Sequence, residues 1–157
     1  MKQYHHTFLK YISTIQRNYY RYMDMKMGRC EIGCGQYFFL TYIYERDGIS
    51  MYDLAKIGHF DKGTVTKAVQ KLVENGYIII QIDQRDRRVK HLHVTEKAAA
   101  VVEQVYEASY RWKDMLMNNL TEREESILAE NLRKMAEESC EVLQEMAQEK
   151  GEKRSGK

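Results

Sequence analysis

Lys62, Gly63, Thr64, Thr66, Lys67, Gln70 and Lys71 lie within one short stretch of this chain and could together hold a polyanion. The lysines supply charge, and the hydroxyl and amide groups can bond to phosphate oxygens or base edges. Gly63, without a side chain, lets a backbone approach a phosphate closely. Further on, Arg85, Arg87 and Arg88 crowd around Asp86. Arginines so placed can reach phosphates or enter a narrow minor groove, where their charge is favoured.

The overall charge is only +2, but it is unevenly spread. Residues 56–97 carry nine Lys/Arg against five Asp/Glu, whereas residues 98–150 carry six against twelve. A basic middle beside an acidic end implies that one part alone meets the polyanion.

Other chemistry is poorly supported. No phosphate-binding glycine loop, metal triad or Ser/His/Asp pattern stands out, so an enzyme is not expected. No cofactor is expected either. Cys30, Cys34 and Cys140 are too few, and odd in number, for a disulfide framework. No apolar run is long enough to cross a membrane, and the N-terminus lacks the apolar core of a secretory signal, so a cytoplasmic protein is expected.

Periodicity predicts the secondary structure that carries these side chains. Phe8, Ile12, Ile15, Tyr19 and Tyr22 form a helical seam over about Tyr4 to Lys26. Gly28, Gly33 and Gly35 break it. About Gln36 to Arg46 is apolar on nearly every side and should be a buried scaffold helix. Ser50, with Asp53 three residues on, starts a short helix to about Ile57. Asp61 is a good cap for a helix from Lys62 to Asn75, whose apolar stripe is Val65, Ala68, Val69, Leu72 and Val73. Gly76 stops it.

From Tyr77 to Asp83 the residues are β-branched and aromatic, and Val89 to Val94 alternates, so a hairpin with a basic tip is expected. Thr95 should cap a helix reaching about Asn118. Thr121 and Glu124 form a capping box for a last helix that buries Ile127, Leu128, Leu132, Met135, Leu143 and Met146. Residues 151–157 read as a polar, frayed tail.

Helix, short turn, amphipathic helix and basic hairpin, in that order, make a winged helix-turn-helix. The fold class is therefore mainly α with a small β-hairpin wing, plus a helical dimerisation region. A merely solvated helix face would explain Lys62–Asn75 alone, and charges that protect a strand edge would explain some of the hairpin. The two features together favour duplex DNA. A winged helix used as a protein-interaction module remains the alternative, although it needs neither the cationic face nor the arginine tip.

Asp53-Leu-Ala-Lys-Ile-Gly-His-Phe-Asp-Lys-Gly-Thr-Val-Thr-Lys-Ala-Val-Gln-Lys-Leu-Val-Glu-Asn-Gly-Tyr-Ile resembles the helix-turn-helix of the MarR family of bacterial regulators. Asp83-Gln-Arg-Asp-Arg-Arg, followed by Leu92-His-Val-Thr-Glu-Lys, resembles that family's wing and the start of its fifth helix. Ile32-Gly-Cys-Gly-Gln-Tyr-Phe-Phe-Leu is similar to the start of its second helix in one subgroup. The resemblance implies a homodimer built from residues 1–47 and 98–150, with the DNA-binding module at 48–97. It implies two recognition helices on a pseudo-palindromic operator. In the wing it implies that Asp86 orients Arg88 toward the minor groove.

The family resemblance also implies a small phenolic or lipophilic effector that releases a repressor. The chain has twelve tyrosines, and Tyr20, Tyr37 and Tyr44 with Arg17 or Arg21 could line such a pocket; aromatic core packing is the competing account. Some relatives sense peroxide through a cysteine near the first helix, which here would be Cys30 or Cys34. Arg29 would favour a thiolate there and Glu31 would oppose it. Zinc sensing is not expected: zinc-sensing relatives take histidines from the fifth helix, and Thr95 to Asn118 has none.

Overall fold

The computed structural model describes residues 3–28 and 31–155, with side-chain surroundings for 7–28 and 31–148. The elements in chain order are α1 (Gln3–Met27), α2 (Cys34–Glu45), β1 (Ile49–Ser50), α3 (Met51–Gly58), α4 (Lys62–Glu74), β2 (Ile78–Ile82), β3 (Lys90–Val94), α5 (Glu96–Met117) and α6 (Glu122–Ser155). Contacts group them into two compact units, Met1–Asp114 and Met115–Lys157.

In the first unit, α2 is the scaffold its composition implies. Tyr37, Phe39, Leu40 and Ile43 are buried, and α4 and β3 pack on this helix. Leu54 of α3, Val65, Ala68, Val69 and Leu72 of α4, and Ile78 and Leu92 of the sheet complete the core. Val73, expected in the apolar stripe, is exposed, although Leu72 beside it is buried.

The sheet has three strands in the order β1-β3-β2, all antiparallel. The expected hairpin is β2–β3, in register Ile78↔Val94 to Ile82↔Lys90. The additional strand, β1, is two residues long and pairs Ile49 with Leu92. Gly48 makes the turn into β1 at φ +86, a conformation that costs an L side chain about 1–2 kcal/mol. Strands β1 and β2 form the two edges of the sheet, and β2 is the longer of them.

Thr95 does something other than cap α5 with its side chain. Its hydroxyl donates to the carbonyls of Gly76 at 2.8 Å and Tyr77 at 3.2 Å. It thereby closes the base of the wing onto the end of α4. Its own carbonyl accepts the Ala98 N–H.

In the second unit, the Thr121–Glu124 capping box forms. The Glu124 carboxylate accepts the Thr121 N–H at 2.8 Å, and Thr121 Oγ1 accepts the Glu124 N–H at 3.3 Å. The Thr121 N–H, and then the Thr121 hydroxyl donating to the same carboxylate at 2.8 Å, hold the Glu124 carboxyl below its ordinary pKa. The expected burial does not hold within one chain. Ile127, Leu128, Leu132, Met135, Leu143 and Met146 are all exposed. Helical periodicity marks an apolar face but does not identify what covers it. Helix α6 runs on to Ser155, into the stretch expected as a polar tail.

Candidate nucleic-acid interface

Three local devices set the geometry of the α3–α4 pair. Ser50 caps α3: its Oγ accepts the Asp53 N–H at 3.0 Å and donates to Asp53 Oδ2 at 2.6 Å, the kind of cap worth about 1 kcal/mol. The connection then turns through His59, a non-glycine residue at φ 52. The Phe60 ring lies so close to Gly58 that a Cβ there would strike it. Phe60 packs on Phe39 at 4.8 Å and on Phe38 at 5.3 Å, between ring centroids, so α2 clamps the turn. Asp61 caps α4, with Oδ1 accepting the Thr64 N–H at 2.9 Å and Oδ2 the Thr64 hydroxyl at 2.6 Å. The hydroxyl contact is the main cause of the lowered Asp61 pKa.

Helix α4 ends in a Schellman motif. The Gly76 N–H donates to Val73 O and the Tyr77 N–H to Leu72 O, both at 2.9 Å, with Gly76 at φ +70. Lys97 fastens this end further. Its Nζ donates to the Asn75 carbonyl at 2.9 Å and to Glu31 at 2.8 Å, over the Tyr77 ring. The recognition-helix candidate is therefore held at both ends.

Lys62, Gly63, Thr64, Thr66, Lys67, Gln70 and Lys71 are all exposed on α4. Not all of them have free hydrogen-bonding capacity. The Thr66 hydroxyl donates to the Lys62 carbonyl at 2.7 Å, which leaves its lone pairs outward. Gln70 Nε2 donates to Glu74 at 2.9 Å. Beside Gly63, a Cβ would come within 3.1 Å of Asp61 Oδ1, so the glycine also serves the cap.

The Arg85–Arg88 tip is built on carboxylates. Asp83 Oδ1 accepts the N–H groups of Arg85 and Asp86, each at 2.8 Å. Asp86 Oδ1 accepts the Arg88 N–H at 3.0 Å. Arg85, Arg87 and Arg88 are exposed. Asp83 is the residue the sequence reading missed. The Asp86 N–H bond, then those of Arg85 and His91, hold its carboxyl below the ordinary range. The available signal was an aspartate two and three residues ahead of turn N–H groups, the pattern of an Asx-turn.

The residues expected to take an effector differ in exposure. Tyr37 is buried, while Tyr20 and Tyr44 are about two-fifths exposed. Arg17 turns to Ser13 and Thr14 along its own helix, at 2.6 and 3.3 Å, and Arg21 is exposed. A hollow between α1 and α5 is lined instead by Tyr22, Lys26, Gln104, Glu107 and Arg111.

Cys30 lies outside the described residues. Burial, with the Asp24 charge beside it, pushes the Cys34 thiol up to about 11, the opposite of what a reactive thiolate needs. Among the described residues, no group of three or more His, Cys, Asp or Glu is arranged to hold a metal. No described helix is long and apolar enough to cross a membrane.

An α3–turn–α4 pair with a β2–β3 hairpin hung from it defines a winged helix-turn-helix protein. The MarR family profile matches residues 34–90. The chain is similar to a MarR protein from Peptoclostridium difficile, at 30% identity and a TM-score of 0.84 over 90% of this chain and 93% of that one. It is 26% identical to the HTH-type transcriptional regulator BilQ of Clostridium symbiosum, over 82% of this chain and 90% of that protein. A MarR-type regulator from Listeria monocytogenes, solved with a 26mer DNA, matches at 25% identity and TM-score 0.79 over 85% of this chain and 89% of that one. This chain belongs to the MarR family. Its relatives are transcriptional regulators rather than enzymes.

Proposed function

We propose that this protein is a dimeric, sequence-specific DNA-binding regulator of transcription. It lays the polar face of α4 in the major groove and sets Arg88 of the wing in the adjacent minor groove. The observation that carries the proposal is the joint exposure of seven polar or small residues on α4 and three arginines on the carboxylate-built tip, within one compact unit. The DNA bound to the Listeria relative supports the same reading.

The dimer is proposed on exposed apolar rows. Phe8, Ile12 and Ile15 on α1, and Ile127, Leu128, Leu132 and Met135 on α6, stand open in the single chain. Exposed apolar surface of that extent marks an association site. Residues 1–47 and 98–150 then form the dimerisation region and 48–97 the DNA-binding module. The protein acts in the cytoplasm, where the duplex is, as a repressor released by a small phenolic or lipophilic effector. Tyr20, Tyr37 and Tyr44 with Arg17 and Arg21 are the effector residues to test.

The deciding experiment selects bound duplexes from a random library and measures affinity for the recovered site across salt concentrations. A pseudo-palindromic site and a steep loss of binding with added salt are expected, because phosphate contacts release counterions. Indifference to every duplex at low salt would sink the proposal.

A further inference from the structure

His91, on β3, joins the wing to the turn ahead of β1. Its Nδ1 lies 2.9 Å from the Gly48 carbonyl oxygen, and its Nε2 lies 3.2 Å from Asp83 Oδ2. A carbonyl and a carboxylate only accept hydrogen bonds. Both contacts are therefore hydrogen bonds only when the ring carries a proton on each nitrogen. The other oxygen of the same carboxylate, Asp83 Oδ1, holds the Arg85 and Asp86 N–H groups. One imidazolium thus ties the Asp47–Gly48 turn, through a single carboxylate, to the backbone of the arginine tip.

We propose that doubly protonated His91 is a positioning residue for the wing, and that loss of its proton releases the Arg85–Arg88 tip, so that duplex affinity falls as pH rises. The proposal rests on the reading of β2–β3 as a DNA-contacting wing.

The charged groups around the ring agree with it. Asp83 faces it from the end of β2, and the Asp53 carboxylate of α3 adds a smaller attraction for its proton. Asp47 is engaged elsewhere, by His93 Nδ1 at 2.9 Å and the Val94 N–H at 2.9 Å. Arg85 and His93 line a surface hollow together with His91 and Asp83. The Gly48 carbonyl, and then Asp83, raise the proton affinity of His91 above that of an ordinary histidine. When the proton leaves to water, the neutral ring keeps one N–H and presents a lone pair to an oxygen on its other side. The longer Asp83 contact is the one to open, and Asp83 then swings free of the ring while the tip loses its anchor to the sheet.

The test uses the full chain, with a fluorescent duplex of the selected site at constant ionic strength. Affinity should drop by about tenfold between pH 6 and pH 8, the size expected for losing one hydrogen bond to a charged group. His91→Gln should show no such step. Asp83→Asn keeps an oxygen for the turn N–H groups but removes the charge, and it too should lose the step. A step that survives in Asp83→Asn would mean that the imidazolium touches phosphate directly, and would overturn the proposal.

A second measurement needs no DNA. Nitrogen NMR of the free protein should show both His91 ring nitrogens protonated at low pH, with the Arg85 and Asp86 amide signals moving at the ring's own midpoint. Amides that stay fixed while the ring titrates would also overturn it. A protein that binds no duplex at any pH fails the wing reading instead, and the NMR result still judges the clamp.

Discussion

Asp86 holds Arg88 by its backbone: the carboxylate accepts the Arg88 N–H at 3.0 Å and leaves the guanidinium exposed. The aspartate thus fixes where the arginine starts rather than pairing with its charge. Asp86→Asn, whose amide oxygen can accept the same N–H, should bind the operator within about twofold of the parent. Asp86→Ala, which frees an exposed turn bond, should lose about fivefold. Gel-shift titration of both variants decides the matter, and a strong loss in Asp86→Asn would point to a side-chain ion pair.

Arg88→Ala should weaken operator binding strongly and leave the fold intact, because the tip is remote from the core residues. If Arg88 neutralises one phosphate, the slope of log affinity against log salt should fall by about one. Unchanged affinity would contradict the wing assignment.

Thr66 has committed its hydroxyl proton to Lys62, so it can meet DNA only as an acceptor or through its methyl group. Thr66→Val keeps the methyl and removes the acceptor. Sequence preference should shift by about 1–3 kcal/mol at one base position if a base is read. Equal losses on operator and random duplex would make Thr66 a phosphate contact instead.

Gly76→Ala and Gly48→Ala separate strain from crowding. Both glycines have positive φ, and each alanine should cost about 1–2 kcal/mol for the left-handed backbone alone. Nothing lies near a Cβ at Gly76, whereas one at Gly48 would stand 3.2 Å from His93 Cε1. Gly48→Ala should therefore melt at the lower temperature. The reverse order would mean that the His93 ring moves aside freely.

Stability should depend on pH with two limbs. His91 has its proton affinity raised, so its contribution is complete below its ordinary value of 6.5 and is lost as pH rises through the folded value. Asp83 and Asp47 are lowered, so their contributions are complete above the ordinary 3.8 and are lost as pH falls through the folded values. The melting temperature should peak between these limits, in mildly acidic buffer. His91→Gln should flatten the alkaline limb and, because the His91 bond helps hold Asp83 down, weaken the acid limb as well; a parent protein whose peak lies at alkaline pH would count against the His91 clamp.

Short-range signals in the chain were legible. Ser50, Asp61, Thr121 and Gly76 each act on neighbours a few residues away, and each forms the cap or stop its type implies. The polar face of α4 was legible for the same reason, because helical spacing alone separates Val65 and Leu72 from Lys67 and Lys71. Long-range partners were not. Strand β1 exists only because Ile49 finds Leu92, and two residues have no periodicity to read. The partners of His91, the Gly48 carbonyl and the Asp83 carboxylate, come from outside its own strand, where periodicity gives no sign of them. The apolar row of α6 was visible, but its exposure in the single chain was not, since a sequence does not say which molecule supplies the cover.

Strand β2 is an edge strand of its sheet, with Ile79 and Ile82 largely uncovered. A β-branched, apolar margin of this kind is a template for cross-β stacking between molecules. Here the strand is only five residues long and runs directly into Asp83 and the three arginines. Those charges act as gatekeepers, repelling a like-charged copy that tries to add a strand in register. A variant stripped of its arginines to abolish DNA binding would therefore also be more prone to precipitate on concentration, and its loss of binding should be read only after its solution state has been measured.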